Sequence, residues 1–242
     1  MSAVARQRFY PLIALMFALF AVIGFSRTFY FRFLTDLPPL TALMQLHGAV
    51  FTAWLLVFVA QTRLIAAHRV DLHMKFGIAA VVLAVLIVLV SFATMVVKSN
   101  VPGAHPFIHP SGLTGTQFTV VGLTSLATFA AFIALGVAFR RRAALHKRFM
   151  VLAMISVLTP PASRVLTMLG LREYWSYLVP VAPALFVAWC LIHDWRRHRT
   201  VHPVYAIGGV LIVASWPLRL VAGRSEWYQP IGEWIARVGA GV

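Results

Sequence analysis

The sequence predicts an all-α fold: a polytopic membrane helix bundle of about seven transmembrane helices plus a C-terminal interfacial amphipathic helix, with residues 1–242 as a single integral-membrane domain. Three observations carry this reading. Hydrophobic residues make up 61% of the chain and charged residues only 11%, against about 25% charged in an ordinary soluble domain. Mean hydropathy is +0.85. The apolar residues also gather into segments approaching the roughly 20 residues that a spanning helix needs.

The predicted spans lie near 9–27, 40–62, 74–97, 117–139, 148–169, 175–193 and 202–221. The first follows a short basic start and ends in the aromatic, basic stretch 27–33 rather than in a small-residue cleavage site, so it reads as a retained helix. The fifth carries Pro160 and Pro161 in its outer half, and this pair breaks the helical hydrogen bonding. It is the one span that reads as interrupted. Beyond the seventh, residues 226–239 place Trp227, Ile231, Trp234, Ile235 and Val238 on one helical face, with Glu226, Gln229, Glu233 and Arg237 elsewhere. Pro230 opens this helix, Glu233 and Arg237 form a favourable four-residue pair, and the whole reads as a helix lying on the outer interface.

The net charge is +15. The charges sit between apolar runs rather than on one basic face, which points to the lipid bilayer as partner and away from nucleic acid. Thirteen of the 21 Lys and Arg residues fall on the side of Arg63, Arg69, the Arg140–Arg142 triplet and Arg196–Arg197, and the rest, including Arg164, Arg219 and Arg224, fall on the other. The positive-inside rule then predicts a bacterial inner membrane protein with a cytoplasmic N-terminus and a periplasmic C-terminus. The single cysteine, Cys190, leaves no internal disulfide and no multi-cysteine metal site, and reads as a small buried residue.

The nine histidines are unevenly placed under this topology. His68, His73, His146, His193, His198 and His202 lie at cytoplasmic helix ends, and His105 and His109 in an outer loop. His47 alone lies well inside a span, roughly 10 Å deep at the helical rise per residue. It shares a stripe with Trp54 and Gln61 that should face other helices. Its ring is either a structural hydrogen-bonding group or a ligand or proton relay. His73 has Gly77 one turn on, which leaves space for a planar group such as a haem, or for tight helix packing. Arg164 can donate to carbonyls freed by the proline pair, bind a propionate or another anion, or snorkel to the interface. Asp194 stands alone among bases. It either joins His73, His146 and His202 in a metal site, where a carboxylate orients or completes the ligand set, or neutralises an arginine.

Leu46, His47, Gln61, His73 and Gly77 resemble part of the ascorbate-dependent di-haem cytochromes b, over residues 46–77. That resemblance implies His47 and His73 as haem ligands on opposite membrane sides. Most of the chain resembles a family of uncharacterised bacterial multi-spanning membrane proteins, through Leu46-His47, the stretch VDLHMKFG, the stretch HKRFMVLA with Arg164 after it, and Asp194 with His202-Pro203. This second likeness implies a topology and a residue set but no activity. The fourth span has no histidine, which argues against two bis-His haems and leaves one near the cytoplasmic side.

Three functional readings follow. In the first, the chain is a redox protein with one b-type haem held by His73 and either His146 or His202, with Gln61 or Arg164 near an exchanging quinone. In the second, it is an iron or zinc enzyme acting on a lipid through His73, His146, Asp194 and His202. In the third, it is a non-catalytic accessory or assembly subunit of a larger membrane complex, with no cofactor. Whether the chain is an enzyme stays open. A transporter would call for intramembrane acids or paired interrupted helices, and the sequence reads only one interruption.

Overall fold

The computed structural model describes residues 3–99 and 111–240, so His105 and His109 lie outside the described residues. The described residues form helices and turns, with no strand among them. Six helices are long and apolar enough to cross a membrane, and the count reaches seven when one bent pair is taken as a single span. The all-α polytopic bundle is therefore what the chain adopts. It divides into two compact units, Met1–Val90 and Ser91–Val242.

In the first unit, helix α1 (Ala3–Phe25) widens into a π-helical stretch, Ser26–Tyr30, and a 3-10 turn, Arg32–Leu34. Arg32 holds the following turn by donating to the Thr28 and Pro38 carbonyls. Thr41 caps α2 (Ala42–Ala66), its hydroxyl accepting from the Met44 N–H at 3.3 Å. Helices α1 and α2 pack on Ile13, Phe17, Trp54 and Phe58, all buried. Tyr30 and Thr52 share a hydroxyl hydrogen bond of 2.9 Å. His68 takes a left-handed conformation (φ 59°) in the turn that leads to α3 (Val70–Lys98). The α3 side chains of Ile78, Val82 and Leu89 point outward. Hydrocarbon, not water, is the solvent that suits them.

The second unit is built around α4 (Gly115–Ala138), α5 (Ala143–Ser156), α8 (Val181–His198) and α9 (Pro203–Arg224). Thr114 and Gln117 cap α4 reciprocally. Gly208 and Gly209 on α9 let the side chains of Leu152 on α5 and Val187 on α8 press against its backbone, and a Cβ at either position would collide.

Proline decides where these spans break. Pro160 can neither donate to the Ser156 carbonyl nor pass it without a clash. Helix α5 accordingly closes at Ser156 with tightened turns, Val157 N–H to Met154 O and Leu158 N–H to Ile155 O. The chain restarts as α6 (Thr159–Met168), bent by 41°, with the prolines in its first turn. A second proline, Pro180, marks a milder irregularity within the single span Arg172–His198. After a 3-10 turn, Arg172–Tyr174, the short α7 (Trp175–Leu178) stops before Pro180, and α8 begins at Val181. The Ser176 carbonyl, left without its helical donor by Pro180, accepts the Trp216 indole N–H at 2.8 Å. Pro217 lies inside α9 and removes the donor for the Val213 carbonyl.

The last helix, α10 (Gln229–Ala240), lies along α4. Ile235 and Tyr228 are buried there, and Tyr228 and Thr119 share a hydroxyl hydrogen bond of 2.7 Å. Trp227, Ile231, Trp234 and Val238 form an exposed apolar stripe, with Trp227 64% and Trp234 54% exposed.

Candidate functional site

One end of the second unit is closed by a buried ion pair. Arg148, in the second turn of α5, is 3% exposed and Asp194, near the end of α8, is 0% exposed. The guanidinium donates through Nε to Oδ2 and through Nη2 to Oδ1, each at 2.9 Å. Its Nη1 donates to the Ala144 carbonyl at 2.7 Å, and its plane lies over the Tyr205 ring at 5.5 Å. Asp194 also accepts the backbone N–H of His202 at 3.3 Å. A single carboxylate thus joins α5, α8 and the start of α9. Bidentate pairing with an aromatic platform is the geometry that guanidinium suits and ammonium does not. His193 Nδ1 stands 3.7 Å from the same carboxylate.

The proposed ligand residues can be tested against this geometry. His146 Nδ1 lies 2.8 Å from the Gly136 carbonyl and donates to it. That fixes the tautomer with its lone pair on Nε2, the form a haem or metal ligand needs. His202 is used differently. Its Nδ1 accepts the Val204 N–H at 3.2 Å and caps α9, which puts the proton of the neutral ring on Nε2. Burial and the Arg148 charge push the His202 pKa down, consistent with a neutral cap. His202 in this tautomer does not fit an axial position, and Asp194 has its oxygens committed to Arg148. No group of three or more His, Cys, Asp or Glu among the described residues is placed to hold a metal ion.

His73 and His47 belong to the first unit. The His47 ring lies against Phe51, 4.9 Å between centroids, and Trp54 on the same stripe is buried. The tight helix packing that was one alternative at Gly77 is not made, since a Cβ there would meet nothing within 4 Å. Arg164 does donate to the Pro160 carbonyl, at 3.2 Å. Cys190 is fully buried.

The deeper polar site was not singled out from the sequence. Arg219, counted there with the outer charges, is a residue of α9 and is 4% exposed. It lies roughly 8 Å in from the end of that helix at 1.5 Å per residue. Its Nη1 donates to Ser125 Oγ on α4 at 2.8 Å, and its buried Nε meets no hydrogen-bond partner. It borders a small, partly open and mostly apolar pocket of about 10 Å³, lined also by Ser156, Thr159, Pro180, Pro183, Ile212, Val213 and Trp216. The pocket therefore sits beside the break between α5 and α6 and beside Pro180 and Pro183. Trp216 and Pro180 also line a second, open cavity of about 760 Å³, whose rim includes Ser111, Glu173, Tyr177 and Arg224. Trp216 is braced by its bond to Ser176 and by Trp175, 5.0 Å away between ring centroids.

No family model, curated protein or solved structure matches this chain. A sequence search for helix breakers in successive spans would have found the inner site: Pro160-Pro161, Pro180 with Pro183, and Pro217 two residues before Arg219.

Proposed function

We propose that the second unit is a membrane transport pathway with its substrate site at Arg219. The observation that carries this reading is the adjacency of an open vestibule and the small pocket at Arg219, with Trp216 and Pro180 as their shared wall. Irregular backbone in a membrane-spanning helix is costly unless it lines a cavity or is buried in protein. Interrupted helices at mid-depth are how many secondary transporters build their sites. In this reading the Arg148–Asp194 pair seals the far end and Trp216 the vestibule end. The excess of Lys and Arg on the Arg148 side supports a cytoplasmic far end, an external vestibule and an inner-membrane location.

The test is side-specific labelling. With Cys190 replaced by alanine, Ser156→Cys should be protected while both ends are closed. Asp194→Asn should expose it to a membrane-impermeant thiol reagent from the Arg148 side. Protection from both sides in every variant would remove the pathway.

A second reading is favoured by one observation, the His146 tautomer. It is a redox role with one b-type haem, which His146 Nε2 would help to hold. A bound haem would supply one-electron chemistry, and the Gly136 carbonyl would orient its ligand. A reduced-minus-oxidised spectrum that survives His202→Ala and disappears in His146→Ala would select this reading over transport. The absence of any haem spectrum from the purified protein would set it aside.

A further inference from the structure

We infer that the Arg219 cavity binds one small monovalent anion of the halide class. This rests on the transport reading for its purpose but not for its chemistry. An arginine stays protonated in a protein, and an uncompensated charge at this depth costs several kcal/mol. No carboxylate lines the cavity. Ser125 Oγ accepts one guanidinium N–H but carries no negative charge, so it does not neutralise Arg219. One charge asks for one counter-charge, which disfavours a dianion.

Size and donor geometry narrow the class. About 10 Å³ of free space is close to what one water molecule occupies. Helix α6 and helix α8 both begin at the cavity, through Thr159 and through Pro180 and Pro183, and helix N-termini favour negative charge. Yet Pro160, Pro161 and Pro183 strip amide donors from those same first turns. The Ser156 hydroxyl is spent on the Ala153 carbonyl at 2.7 Å. Positive field without a ring of directional donors suits a spherical halide better than a phosphate or a sulfate, which need several aimed N–H or O–H groups. Arg219 is the one charged residue among those that line the space.

The probe is a series of sodium salts at constant ionic strength, read as Tm of the purified full-length protein. Chloride and bromide should raise Tm saturably, on the order of a few degrees at about ten times their Kd. Gluconate should not. Sulfate and phosphate stabilise folded proteins generally by exclusion, so any rise they cause should be non-saturating. Arg219→Gln should abolish the halide response, Arg219→Lys should retain part of it, and Arg224→Gln in the vestibule should leave it intact. A wild type whose response to chloride matches that to gluconate would overturn the site, as would an Arg219→Gln protein that keeps the full halide response. Should Arg219→Gln fail to fold, wild-type crystals grown in bromide decide. An anomalous peak within hydrogen-bonding distance of Arg219 supports the site, and its absence overturns it. Halide binding without transmembrane flux would keep the site and remove the transport reading. Flux without saturable halide binding would do the reverse.

Discussion

Trp216 and Arg219 stand less than one turn apart on α9 and are both 4% exposed, the ring lining both the open vestibule and the small pocket, the arginine lining the pocket alone. Residues three apart share a helical face, so one helix supplies both the barrier and the charge behind it. Trp216→Ala should therefore open the vestibule into the cavity. In a Cys190→Ala background, Ser156→Cys should react with a small thiol reagent from the vestibule side much faster when Trp216 is alanine. An unchanged rate would mean that Trp216 does not separate the two spaces.

The Arg148–Asp194 pair should be a stability element as well as a seal. Removing one partner leaves a buried charge alone, which typically costs about 3–5 kcal/mol. Asp194→Ala should be that severe, because the carboxylate also holds the His202 amide. The double change Arg148→Met with Asp194→Leu should cost far less. Thermal unfolding of the three proteins checks this, and an Asp194→Ala protein as stable as wild type would contradict the pairing.

Stability should also fall in mild acid through His202. Its pKa is lowered in the folded protein from an ordinary value of 6.5, first by burial and then by Arg148. The unfolded chain therefore binds this proton more readily than the folded one. The stabilisation is complete above about pH 6.5 and is lost as pH falls through the lower folded value. His202→Asn keeps a side-chain oxygen to cap α9 but cannot titrate. Tm profiles between about pH 5 and 7.5 should slope for wild type and lie flatter for His202→Asn. Parallel profiles would assign the slope to another group.

These sites were unevenly legible. The bundle and most span limits follow from apolar run length, because hydrocarbon thickness fixes how many residues a span needs. Asp194 stood out in the sequence as an acid among bases, but its partner did not. Arg148 is one of several basic residues near Lys147, and only the packing of α5 on α8 selects it. Arg219 was counted with the outer charges although the predicted span 202–221 contains it, since a count by membrane side does not register depth. The irregularity at Pro180 is mild, since the span Arg172–His198 continues through it. Its effect appears only once Trp216 is seen to occupy the Ser176 carbonyl.

Helix α10 should lie at the lipid interface. Its stripe of Trp227, Ile231, Trp234 and Val238 faces away from α4, while Ile235 faces into it. Spin labels at Trp234 and Glu233 should differ in accessibility to a lipid-soluble relaxant, with Trp234 the more accessible. Equal values at the two positions would remove the interfacial assignment.

Chloride flux into proteoliposomes containing the purified protein tests the central claim most directly. Wild-type vesicles should take up chloride faster than protein-free vesicles, and Arg219→Gln vesicles with the same amount of folded protein should not. Wild-type uptake no faster than that of protein-free vesicles would contradict the account, and so would Arg219→Gln uptake equal to wild type.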